Sequence, residues 1–260
     1  MALLGTDPSV VFDQRHPAEH RLLSYVARMA AQMTEPFDPE RHVRVTPFFF
    51  GPEPAWGPIP FESDVLDVES LEGRLLRSMW EAVSAGLRAE HPGARRYAEK
   101  LAVPVAPIID AGIDLRVIDL LRDPRDVLAS VRAFVATTGV DGFGQRPGRT
   151  PQDEVADFIR RFGGQLHAMG DMPNGPGRLI VRYEDLASDP HATAEQLGSW
   201  LGLELDADRA LERIAVHGEH RTTSTVEASI GRWRRDLAPD EAELIERELG
   251  PLMAPYGYDL

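Results

Sequence analysis

Between residues 115 and 134 the chain reads LRVIDLLRDPRDVLASVRAF, and its hydrophobic pattern changes period once within that stretch. Leu115, Val117, Ile118, Leu120 and Leu121 make a nearly continuous apolar run, which predicts a buried parallel strand rather than a half-exposed one. Past Arg122 the spacing turns helical, with Val127, Leu128, Val131 and Phe134 along one side. Asp123 suits the N-cap, Pro124 the first helical position, and Asp126 adds negative charge to the first turn. Arg122 therefore belongs at the carboxyl end of a strand, with Ser130 two turns further on. Strand ends that feed helices are where open α/β sheets bind ligands.

The rest of the chain repeats the alternation. An amphipathic helix is predicted within residues 13–33, carrying Leu22, Leu23, Val26, Met29, Ala30 and Met33 on one side. Helix 69–89 presents Leu71, Leu75, Leu76, Met79, Val83 and Leu87, and helix 152–169 presents Val155, Phe158, Ile159, Phe162, Leu166 and Met169. Residues 94–101, ARRYAEKL, read as a short strand ending at Lys100, and residues 178–185, RLIVRYED, as another buried strand. Two helices follow, one with Leu197, Trp200 and Leu201, the next with Leu211 and Ile214, and a final helix covers 239–249. Met1, Leu3 and Leu4 read as the last turn of a helix capped by Gly5. Three irregular segments interrupt the order: a Pro- and aromatic-rich loop at 34–64, a Gly-rich loop at 137–151, and an Arg- and hydroxyl-rich segment at 220–237.

Composition narrows the classes. A chain of 260 residues without cysteine can bury a core without disulfides and has no thiolate for a metal, which fits a cytoplasmic location. No stretch approaches the roughly 18 uninterrupted apolar residues of a membrane span. The net charge of −14 argues against nucleic acid as a partner, so any anionic ligand needs a local basic cluster. Lys100 is the single lysine among 28 basic residues. Its persistence fits a position that needs a compact ammonium, and fits chance survival on a surface equally well. No G-x-x-x-x-G-K-[ST] loop exists in the chain, which disfavours a small-molecule kinase.

The run Arg122, Asp123, Pro124, Arg125, Asp126 followed by Ser130 resembles the 3′-phosphate signature of sulfotransferases that use 3′-phosphoadenosine-5′-phosphosulfate (PAPS). In that family the arginine and the serine eight residues later hold the 3′-phosphate. A guanidinium fork and a hydroxyl suit a phosphate on chemical grounds as well. Taken alone, Arg-Asp-Pro is equally a helix cap beside a surface arginine. Two further features keep the family's order. R-Y-E-D-L at residues 182–186 resembles a recurrent segment whose tyrosine, here Tyr183, lies near the nucleotide. Gly231, Arg232 and Trp233 resemble the late loop that folds over the cofactor, although the family's preceding Arg-Lys-Gly falls on Val226, Glu227 and Ala228.

The resemblance implies a three-layer α/β/α fold of the P-loop hydrolase/sulfotransferase type, with residues 1–260 as one domain around a central parallel sheet. It places the first strand and the 5′-phosphosulfate loop before Met1; a misplaced start codon, a shortened chain and a member without that loop all stay open. The implied reaction moves a sulfuryl group from PAPS to a hydroxyl or amine and releases adenosine 3′,5′-bisphosphate, with no metal. Arg122, Ser130, Tyr183, Gly231, Arg232 and Trp233 are the expected cofactor residues. Lys100 matches a lysine that helps stabilise the transferring group, but Leu101 and Ala102 replace the Thr-His that follows it in cytosolic members. That loss of a histidine base draws attention to Glu99 and to Glu19, whose Glu-x-Arg setting resembles the base segment of tyrosylprotein sulfotransferases. Glu19 is equally a first-turn acid favoured by a helix dipole. The acceptor, whether small molecule, glycan or peptide, has no recognisable code, and a second copy of the chain is a candidate partner. A non-catalytic nucleotide- or partner-binding protein is the alternative.

Overall fold

Helices dominate, and each parallel strand pair is short. The structure is a computed structural model and describes residues 2–11, 21–34, 68–101, 103–139, 150–170, 177–216, 225 and 227–259. The chain divides into two units, residues 3–115 and residues 116–260.

In the first unit a 3-10 turn at Leu4–Thr6 leads into β1 (Val10–Val11), so Gly5 lies inside the turn rather than capping a helix. Then follow α1 (Leu22–Thr34), α2 (Val68–Glu90), β2 (Arg96–Tyr97) and α3 (Ala106–Asp110). β1 and β2 pair in parallel, Val10 with Arg96 and Val11 with Tyr97. The strand expected at 94–101 is thus two residues long, and Lys100 lies exposed beyond it. α1 packs on α2 through Leu23, Val26, Ala27 and Ala30, which close with Leu76, Ile108 and Ala111 into one core. Met29 and Met33, expected on that face, are 51% and 66% exposed. They lie on the flank of that face, outside the buried Leu23, Val26, Ala27 and Ala30 positions.

The second unit begins with β3 (Val117–Leu121), α4 (Pro124–Thr138), α5 (Pro151–Gly170), β4 (Arg178–Arg182) and α6 (Tyr183–Ser188). α7 (Pro190–Leu201), α8 (Ala207–Val216), a 3-10 turn at Glu227–Ser229, α9 (Trp233–Asp236), α10 (Pro239–Met253) and a last 3-10 turn at Ala254–Tyr256 complete it. β3 and β4 are parallel, in register from Val117–Arg178 to Leu121–Arg182. The parallel pairing among the described residues is therefore divided between the two units, one pair in each.

Val117 and Leu121 of β3 are buried, but Leu120 is 55% exposed, so the strand is not covered along its whole length. Asp119 accounts for the polar interruption: its carboxylate accepts from Arg178 Nε of β4 at 2.5 Å, a diagonal cross-strand ion pair. α4 starts where its cap chemistry dictates, with Asp123 accepting from the Arg125 backbone N–H at 2.8 Å and Pro124 at the first position. β4 ends three residues earlier than its apolar pattern allows, because Tyr183 already opens α6. The core of this unit joins Leu121, Leu128, Val155 and Leu166 to Ile245, Leu249 and Met253 of α10. Both strands thus deliver their carboxyl ends, and the helices that follow them, to the same edge of one sheet.

Candidate functional site

That edge carries Arg122 and Tyr183, each one residue past its strand. The Arg122 guanidinium lies 4.3 Å over the Tyr183 ring, a cation–π contact that orients both groups. Arg122 Nη2 donates to the Ser229 backbone carbonyl at 2.6 Å, and the Tyr183 hydroxyl lies 2.8 Å from Ser229 Oγ. Arg122 Nε is buried and has no hydrogen-bond partner. Arg182 Nε is buried without a partner too, but has the Asp185 carboxylate at 4.0 Å. An unmet N–H on a buried cation is costly, and an anionic oxygen is the group that would satisfy it.

The acids around Arg122 are already occupied. Asp123 accepts from Arg125 Nε at 3.1 Å and from Nη2 at 2.8 Å, so its charge is answered within the same turn. Asp126 is 1% exposed and holds the late segment: one oxygen accepts from the Gly231 N–H at 2.6 Å, the other from the Trp233 N–H at 3.0 Å. Burial pushes the Asp126 carboxyl above its usual value, and the two backbone donors pull partly against that rise. Gly231 sits at φ +68°, left-handed backbone that lets both amides turn toward one carboxylate. Ser130 lies one turn beyond Asp126 on the same face of α4.

The six expected cofactor residues all lie in the second unit: Arg122 touches Tyr183, Gly231 and Trp233 are tied to Asp126, and Ser130 is carried on α4. Arg122, Tyr183 and Ser229 form one contact group. Arg232 is buried and pairs with Asp236, from Nε at 2.8 Å and from Nη2 at 2.7 Å. The Trp233 ring is met by two guanidinium groups, Arg125 at 4.1 Å and Arg234 at 4.6 Å. Arg122, Arg125, Arg232 and Arg234 are thus interleaved at this edge with Asp123, Asp126, Glu184 and Asp236. Lys100 belongs to the first unit, and Glu19 lies outside the described residues. Glu99 is committed elsewhere: its carboxylate accepts from Leu23 N, Ser24 N, Ser24 Oγ and Tyr97 OH at 2.6–2.9 Å, capping α1. No group of three or more metal-ligating side chains is assembled among the described residues.

The pattern does not single out Asp126, Ser229, Glu184 or Tyr258, all of which the structure places at or beside this edge. Asp126 has the signature of an ordinary first-turn acid, and its partners lie more than a hundred residues away in sequence.

The sulfotransferase family matches residues 74–207, just over half of the chain, and spans Arg122, Ser130 and Tyr183. The chain belongs to the sulfotransferase family. Carbohydrate sulfotransferase 3 of Tetronarce californica is 26% identical over 194 residues, 69% of this chain and 44% of that protein. Carbohydrate sulfotransferase 1 of Homo sapiens is 28% identical over 171 residues, 60% of this chain and 41% of that protein. The aligned part is thus less than half the length of these relatives. The sulfotransferase domain from the Synechococcus PCC 7002 olefin synthase matches all of this chain and 89% of that one. Its TM-score is 0.51 at 15% identity, which establishes the α/β sulfotransferase fold.

Proposed function

We propose that this sulfotransferase family member moves a sulfuryl group from PAPS to a hydroxyl of a carbohydrate acceptor. The observation that carries the reading is Arg122, past the end of β3, with a buried N–H lacking an acceptor and Tyr183 stacked beneath it. A nucleotide 3′-phosphate fits that guanidinium, with the Ser130 hydroxyl as a further donor. The glycan acceptor rests on the carbohydrate sulfotransferase relatives.

The donor supplies an activated sulfur, whose bond to the bridging oxygen breaks as its bond to the acceptor oxygen forms. The chain's own task is positioning and charge compensation. Arg122 anchors the nucleotide end, and Asp126 holds the 231–233 backbone in place by its two amides. The family resemblance alone assigns Lys100 as the donor to negative charge on the leaving oxygen and Glu19 as the base for the acceptor proton.

The test is transfer of labelled sulfate from PAPS to a panel of glycans. The reading predicts product with wild type and loss of it in Arg122→Ala. Lys100→Met should lower kcat by about tenfold or more while nucleotide affinity stays within about twofold. Donor binding without transfer to any hydroxyl acceptor would instead make the chain a binding protein.

A further inference from the structure

The peptide groups on either side of Arg122 are both held by side chains from elsewhere in the second unit. On one side, the Tyr258 hydroxyl donates to the Leu121 carbonyl at 3.0 Å. On the other, the Asp123 N–H donates to Glu184 Oε1 at 3.0 Å. The two holders also meet, because the Tyr258 hydroxyl lies 2.5 Å from Glu184 Oε2. A phenol has one hydrogen, so Leu121 and Glu184 share it, and Glu184 accepts at both oxygens.

Tyr258 is itself fixed. It is 7% exposed, and Arg182 lies 4.4 Å over its ring while donating from Nη1 to the Gly257 carbonyl at 3.0 Å. Gly257 makes that approach with φ +76°, where a Cβ would stand 3.2 Å from Arg182 Nη1. We infer that Glu184 and Tyr258 form a clamp on the Leu121–Asp123 backbone that sets the position of Arg122. They are positioning residues for the anion site, acting through Arg122. A segment a few residues from the last residue of this sequence thereby controls the affinity of a site built on β3.

The inference rests on the nucleotide reading above for its functional consequence, and on the hydrogen bonds alone for its structural one. Two variants isolate the clamp. Tyr258→Phe keeps the ring and its Arg182 contact but removes the hydroxyl. Glu184→Gln keeps the shape but puts an amide donor against one of two donors.

The experiment measures binding of adenosine 3′,5′-bisphosphate by calorimetry for wild type, Tyr258→Phe, Arg122→Ala and the double variant. Hydrogen exchange of the 121–126 amides is followed in parallel on the full chain. The clamp predicts roughly tenfold weaker binding in Tyr258→Phe and no further loss when that change is added to Arg122→Ala. It also predicts faster exchange at Asp123 in Tyr258→Phe and in Glu184→Gln. Losses that multiply in the double variant would overturn it, because a general structural role adds to Arg122 instead of acting through it. Unchanged exchange at Asp123 in both variants would overturn it as well. If wild type binds no nucleotide, the functional reading fails, and the exchange data still decide the clamp.

Discussion

Asp126 shows how much of the site hangs on one side chain. It reaches from α4 to the 231–233 backbone, and both its oxygens are used there. Asp126→Asn preserves volume but turns one acceptor into a donor facing an N–H, which should cost about 1–3 kcal/mol and weaken nucleotide binding. The pH dependence has a definite sign. Burial raises this carboxyl above its ordinary value, so the folded chain binds a proton that the unfolded chain releases. Stability from this group is therefore full below the ordinary carboxylate value and is lost as pH rises through the raised one. Urea unfolding at a series of pH values should show wild type gaining on Asp126→Asn as pH falls through that window. A constant difference would mean that the carboxyl is not raised.

At the scale of elements, two charged residues hold helices together. Arg132 of α4 reaches Glu154 of α5 and Glu241 of α10, with four hydrogen bonds between 2.8 and 3.2 Å. Its side chain is 24% exposed, so replacing it with Met should cost about 1–3 kcal/mol, below the roughly 3–5 kcal/mol of a fully buried pair. The Arg132 guanidinium, opposed by burial, holds the Glu241 carboxyl below its usual value. That contribution is present above the ordinary carboxylate value and is lost as pH falls through the lowered one. In Arg132→Met the acid-side loss of stability should be shallower, which thermal melts at decreasing pH will read. In the first unit, Glu99→Ala strips the α1 N-terminus of its acceptor and should cost about 1–2 kcal/mol, visible as a lowered melting temperature.

For the whole molecule, what the sequence made legible follows the range of each interaction. Arg122 could be placed at a strand end because strand, N-cap and helix are local and written in consecutive residues. Order and resemblance led to Tyr183, which meets Arg122, and to the Gly231–Trp233 segment, which Asp126 holds. The clamp was not, because Tyr258 meets Leu121 across 137 positions and nothing near Tyr258 announces a partner. Met29 and Met33 misled the reading of α1, since periodicity gives a face but not which row of it meets a neighbour. Glu99 neighbours Lys100 in sequence, yet four donors from α1 and Tyr97 occupy its carboxylate. Leu120 and Asp119 likewise show that an apolar run need not be buried along its full length.

The central claim is that the Arg122 edge of the β3–β4 sheet recognises a 3′-phosphate. Calorimetry on the full chain with adenosine 3′,5′-bisphosphate and adenosine 5′-monophosphate, for wild type and Arg122→Ala, tests it most directly. The account predicts at least a roughly tenfold preference of wild type for the bisphosphate and no preference in Arg122→Ala. Equal affinity of wild type for the two nucleotides, or a preference that survives in Arg122→Ala, would contradict it.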